Sequence, residues 1–164
     1  MVQTLSVSGA ARPAPQLSFV PAGQELPSWI SRERLATFLH EHMKPYHDTL
    51  ADVRRGVDDA LASRPGPGGF IVLARLEARL AGALVMLGTG MRGYIPEHLL
   101  LFVGVDPEIR NRGIGEHLVR SALEHYDDDI KLHVEPDNPA KRLYERLGFV
   151  PKYLDMRFHK GRQS

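Results

Sequence analysis

The chain reads as an α/β protein: a mixed central sheet of about six to seven strands flanked by about four helices. Three observations predict it. Stretches with apolar residues at helical spacing alternate with short apolar, partly β-branched runs. One of those runs, Leu99 to Val105, is almost wholly apolar, as a central strand covered on both faces must be. The breakers between them are Gly and Pro clusters that sustain neither regular structure.

Met1 to Gln16 is rich in Ser, Ala, Gly and Pro with little to bury and reads as a disordered leader; residues 17–164 read as one domain. Leu17 to Val20 is a short first strand. Ser28 to Glu41 is a helix with Ile30, Leu35, Phe38 and Leu39 on one side, and Thr49 to Ser63 a second, with Leu50, Val53, Val57, Ala60 and Leu61 at helical spacing. Arg64 to Gly69 is a turn. Phe70 to Ala74 and Leu80 to Leu87, parted by the charged Arg75 to Arg79, form a hairpin. Thr89 to Glu97 loops, and Leu99 to Val105 follows as the central strand. Gly113 to Tyr126 is a helix, Ile130 to Val134 a strand, and Pro139 to Arg146 a last helix opened by proline and ended at Gly148. Val150 to Tyr153 and Asp155 to His159 are expected to close the sheet as two further strands.

Charge and composition narrow the function. Twenty-one Lys and Arg against twenty Asp and Glu give a net charge of +1, so no overall field draws the chain to nucleic acid or to an anionic membrane. Any anion it binds needs a local site. With no cysteine there is no disulfide, thiolate metal site or cysteine nucleophile. No apolar run approaches the ~20 residues of a spanning helix, and the first sixteen residues lack the features of a signal peptide, so a cytoplasmic protein is expected. His40, Glu41, His42 and His47 suggest metal ligation at first sight. On a helix, histidines two apart point in different directions, and a polar helix end is the better reading. No metal is expected.

The most informative segment runs from Val103 to Leu118. Asp106-Pro107 stops the strand, and Arg110-Asn111-Arg112-Gly113-Ile114-Gly115 leads straight into an amphipathic helix. Glycines here let backbone N–H groups turn toward a ligand, and the helix N-terminus adds a partial positive charge. That makes a cradle for phosphate or pyrophosphate. A tight turn with glycine serving only the backbone is the plain alternative. A phosphate-loop NTPase is disfavoured because Glu116-His117 follows Gly115 where Lys and Ser or Thr would stand. A dinucleotide site would use Gly113, Gly115 and Glu135, but Leu118 replaces its third glycine and too little chain remains for its further strand–helix units.

The stretch V-D-P-E-I-R-N-R-G-I-G, with Arg110, Gly113 and Gly115 in the defining positions, resembles the pyrophosphate motif of the GNAT N-acetyltransferases. A second signature of that family is resembled by Asn138-Pro139-Ala140-Lys141-Arg142-Leu143-Tyr144-Glu145-Arg146-Leu147-Gly148-Phe149, with one residue fewer between Asn and Ala. The resemblance implies a GNAT-like sheet and acetyl-CoA as cosubstrate. It implies a pantetheine arm along Val103, Gly104 and Val105, with Gly104 marking a strand bulge, and a pyrophosphate on the amides of Arg110, Asn111, Arg112, Gly113, Ile114 and Gly115. Asn138 matches a position that contacts the cofactor arm; an N-cap or turn role fits it equally. Tyr144 matches the residue that protonates the departing thiolate, a task for which a phenol protonated at neutral pH is suited, while a core tyrosine is the alternative.

The general base departs from the family pattern. Leu99 and Leu101 are aliphatic, so no carboxylate or imidazole stands mid-strand. Glu97 and His98 at its edge, and His133 and Glu135 on the neighbouring strand, are the candidates. The resemblance implies transfer of acetyl to a primary amine of a small molecule or a peptide, with an acyl-CoA-binding regulatory module as the alternative. A homodimer is the open assembly, and nucleic acid and membrane are not expected partners.

Overall fold

A computed structural model describes residues 13–65, 68–109 and 112–161. The chain runs β1 (Gln16–Pro21), α1 (Arg32–His42), α2 (Leu50–Leu61), β2 (Phe70–Leu76), β3 (Arg79–Gly88), β4 (His98–Val105), a 3₁₀ turn (Pro107–Ile109), α3 (Ile114–His125), β5 (Ile130–Leu132) and α4 (Ala140–Arg146). Polar side chains start the first two helices. Ser31 accepts the Arg34 N–H at 3.2 Å, and Thr49 accepts that of Asp52 at 3.2 Å while its hydroxyl donates to the Asp52 carboxylate, so amides left free by helix geometry are satisfied. Most of the expected leader lies outside the described residues, as do parts of the expected turn before β2.

The strands lie in the order β1-β2-β3-β4-β5, antiparallel except for the last pair. Helices α1 and α2 cover one face, where Leu35, Leu39, Val53 and Val57 meet Ile71, Leu73, Val85 and Phe102. Helices α3 and α4 cover the other, where Ile114, Leu118, Val119 and Tyr144 meet Val72, Leu84, Met86 and Leu100. The sheet is thus buried on both sides, which is why β2 and β3 are apolar nearly throughout.

Two expectations are corrected. The sheet has five strands among the described residues, not six to seven. Neither Val150 to Tyr153 nor Asp155 to His159 joins it, and Val150, Tyr153, Leu154, Met156 and Phe158 each stand 79–89% exposed. Their alternation with charged residues is a strand pattern, but periodicity fixes only which side chains share a face and not which edge, if any, the backbone meets. The second correction concerns the bulge. The β3–β4 register steps from Met86↔Leu100 to Val85↔Phe102, so the extra residue is Leu101 and not Gly104, which faces Leu39 of α1. Helix α2 crosses this bulge at Gly56. A Cβ there would come within 2.6 Å of both Leu101 Cδ2 and Phe102 Cε2, so only glycine lets the helix seat.

Candidate active site

The parallel pair β4–β5 opens the site. It is joined only at His98↔Ile130, Leu99↔Lys131 and Leu100↔Leu132, after which β4 runs on to Val105, held by β3 on one side. A wedge follows, one wall being the edge of β4 from the bulge to Val105 and the other the chain from His133 to Asn138. Backbone groups of a strand edge without a neighbour are open to any extended ligand carrying amides.

At the wide end stands the N-terminus of α3. Gly113 is its N-cap, at φ 70°, in the left-handed region that glycine adopts freely, and no side chain caps the helix. A Cβ at Gly113 would meet nothing within 4 Å. The first-turn amides and the helix dipole therefore face an open concavity suited to an anion. Gly115 is packed behind it, between Val105 of β4 and Leu143 of α4. Arg112 is exposed beside Gly113, whereas Arg110 and Asn111 lie outside the described residues.

The turn leading into this cradle is clamped by two groups that sequence reasoning missed. Asp106 accepts the Glu108 N–H at 2.9 Å and pairs with Arg79 at the start of β3; Arg79 also reaches Glu108 at 2.8 Å. Burial pushes the Asp106 carboxyl up, but the Glu108 amide and the Arg79 guanidinium outweigh it and hold the group below the usual carboxylate range. In the sequence Asp106 read only as a strand stop, and nothing linked it to a residue 27 positions earlier.

Tyr144 is buried, 9% exposed, on the inner face of α4 with its ring edge-on to Phe149. Burial first, and the negative charge of Glu135 second, push its phenol up to about 12. Glu135 also acts on Tyr46, whose phenol is raised chiefly by burial and then by Asp137. Tyr46, in the connection between α1 and α2, donates to the Asp137 backbone carbonyl at 3.2 Å and so ties that connection to the far wall of the wedge. It too went unremarked in the sequence, because one tyrosine in a loop carries no pattern. Asn138 accepts the Ala140 N–H at 2.9 Å through its side-chain oxygen, capping α4, and donates to Glu135 at 3.3 Å.

The remaining base candidates scatter. The Glu97 carboxylate accepts the Gly93 and Asp129 N–H groups at 3.4 and 3.2 Å, and backbone amides, its own first among them, hold it below the ordinary carboxyl range. That ties down a loop and weakens a base. His98 is fully buried, stacked on Tyr126, with neither ring nitrogen hydrogen-bonded and Asp128 3.7 Å from Nδ1. His133 is exposed, 3.8 Å from Asp155. The structure thus groups Glu135, Asn138 and Tyr144 near one another and leaves Glu97 and His98 at the closed end of the β4–β5 pair. His40 accepts or donates at the Asp48 carbonyl, 3.0 Å away, and stacks on His47.

The chain belongs to the GNAT acetyltransferase family, whose model matches residues 25–149. Members of that family transfer acetyl from acetyl-CoA. Among curated relatives, "Mycothiol acetyltransferase" of Paenarthrobacter aurescens (strain TC1) is 32% identical over 81% of this chain, which spans 41% of that relative's length. Two solved structures share the fold. A GNAT family protein from Streptococcus pneumoniae TIGR4 has a TM-score of 0.62 at 16% identity, covering 90% of this chain and 99% of the other. The aminoglycoside N-acetyltransferase AAC(6')-Iy in complex with CoA has a TM-score of 0.62 at 11% identity, covering 93% and 99%.

Proposed function

We propose that this chain moves acetyl from acetyl-CoA to a primary amine by direct attack, with the wedge between β4 and β5 as the reaction site. One observation carries the reading: the strand edge left free after Leu100 leads to the uncapped N-terminus of α3, and Tyr144 is buried against the same layer. The cosubstrate supplies the activated acetyl group. Val103, Gly104 and Val105 offer backbone partners to its arm, while Arg112, Gly113, Ile114 and Gly115, with Arg110 and Asn111, hold the pyrophosphate. The amine nitrogen bonds to the carbonyl carbon, the carbon–sulfur bond breaks, one proton leaves the amine for a base, and one passes from Tyr144 to sulfur. No cysteine is present to form an acyl-enzyme through sulfur, so one direct transfer is the simplest course. The acceptor is a small molecule, as the name of the relative suggests.

Glu135 is the leading base, because its carboxylate is the charge felt by both the Tyr144 and the Tyr46 phenols. His133 is the second choice, and Glu97 and His98 complete the panel. Incubation with labelled acetyl-CoA and a set of small amines tests the reading: label should move to an amine. Binding without transfer would instead favour a regulatory module. Once an acceptor is found, Glu135→Gln should lower kcat/KM by about ten- to thousand-fold near neutral pH and recover part of it as pH rises and free amine accumulates. His98→Gln and Glu97→Gln should lower the rate evenly across pH, if at all. An unchanged acidic limb in Glu135→Gln and His133→Gln would remove both as bases.

A further inference from the structure

The segment after α4 carries more exposed apolar surface than anything else described. Val150, Tyr153, Leu154, Met156 and Phe158 each expose on the order of 150 Å², judged from the size of such side chains. Together that is on the order of 700 Å², above the few hundred of an ordinary monomer patch and near the ~800 Å² each partner gives to a standard interface.

The order of residues selects the partner. Leu154, Met156 and Phe158 alternate with Asp155, Arg157 and His159, so an extended backbone puts the apolar three on one face and the charged three on the other. Asp155 and Arg157 already lie on one side, the guanidinium Nη2 2.7 Å from the carboxylate. The run reads the same chemically in both directions about Met156. Laid antiparallel on a second copy, Met156 faces Met156, Leu154 faces Phe158, Tyr153 faces His159, and Asp155 faces Arg157 twice. Cross-strand pairs of these kinds stabilise an antiparallel ladder, and a patch that matches itself under a two-fold axis is the requirement for a closed dimer. Only Lys152 opposite Lys160 opposes it, at the frayed ends.

We infer that residues 152–160 of two copies pair antiparallel about Met156, making a two-fold dimer whose apolar face buries Leu154, Met156 and Phe158 of both chains. His133, 3.8 Å from Asp155, gives up that carboxylate to the partner's Arg157. The assembly is independent of the proposed catalysis.

The test is a mixing experiment on the full chain, read by sedimentation equilibrium over a dilution series. Wild type should be dimeric at high concentration and dissociate on dilution. Asp155→Arg and Arg157→Asp, each alone, put like charges opposite each other and should raise the dissociation constant at least ~tenfold. An equimolar mixture of the two restores both opposite-charge pairs across the axis and should recover heterodimers within about threefold of wild-type affinity. The ion pair within one chain cannot be restored by mixing. Met156→Ser, which leaves charge untouched, should weaken the dimer as well. A wild type monomeric at every concentration, single variants as dimeric as wild type, or a mixture that stays monomeric would each overturn the inference; the first is also what a segment folded back on its own β5 would give. Circular dichroism of each variant checks that the domain stays folded.

Discussion

Gly113→Asp and Gly115→Asp should each weaken CoA binding at least ~100-fold while leaving a folded protein. Both sites accept the new side chain. At Gly113 a Cβ meets nothing within 4 Å, and Asp tolerates the left-handed region better than most residues. At Gly115 the Cβ would sit in ordinary contact with Val105 and Leu143, at 3.6 and 3.7 Å. An Asp in the first turn of α3 is even favourable to the helix dipole in the absence of ligand. The loss is therefore specific to an incoming anion: a carboxylate about 4 Å from a phosphate near a protein surface opposes it by up to ~4 kcal/mol. Calorimetric titration with CoA reads the affinity and thermal melting reads the fold. Wild-type affinity in both variants would remove the cradle from the proposed site.

Tyr144→Phe should lower kcat by about ten- to thousand-fold with CoA affinity nearly unchanged. The ring stays against Phe149, so packing is preserved and only the hydroxyl goes. With the phenol at about 12, its proton is held wherever the domain is likely to be assayed, and no basic limb from Tyr144 should appear below about pH 11. An ordinary tyrosine would lose that proton near pH 10. The sign for stability follows from the same shift. A raised phenol stabilises the fold below pH 10, where the unfolded chain also keeps the proton. That contribution fades as pH climbs toward 12, by up to about 3 kcal/mol. Wild type should accordingly lose stability relative to Tyr144→Phe across that window. A variant with full turnover, measured where chemistry limits the rate, would make Tyr144 a core residue only.

What the sequence disclosed, and what it hid, divides by range. Helix α2 was readable because Val53, Val57, Ala60 and Leu61 repeat at helical spacing and Thr49 marks the start; the structure places the helix at Leu50–Leu61. The turn at Gly113 was readable because glycine beside glycine before an amphipathic run has few other uses. The clamp of Arg79 on Asp106 and the Tyr46 tie to Asp137 were not, since each joins residues far apart in the chain through side chains that carry no period. The bulge at Leu101 was misplaced onto Gly104 for a related reason. A bulge belongs to a pair of strands, and one strand's residues do not reveal where its partner steps. His98 looked like an edge residue within reach of substrate, yet it points into the layer beside Tyr126, because a one-residue change in strand phase turns a side chain from one face to the other.

The join of β4 to β5 is only three residue pairs long, against seven between β3 and β4. A ligand lying in the wedge and hydrogen-bonding to both walls would complete that ladder as a substitute strand, and the cosubstrate would then be part of the scaffold as well as of the reaction. Anything that binds the folded chain alone raises its stability by RT ln(1 + [L]/Kd), about 2.7 kcal/mol at a hundredfold excess over Kd. The domain's resistance to heat and proteolysis then becomes a readout of how much CoA surrounds it.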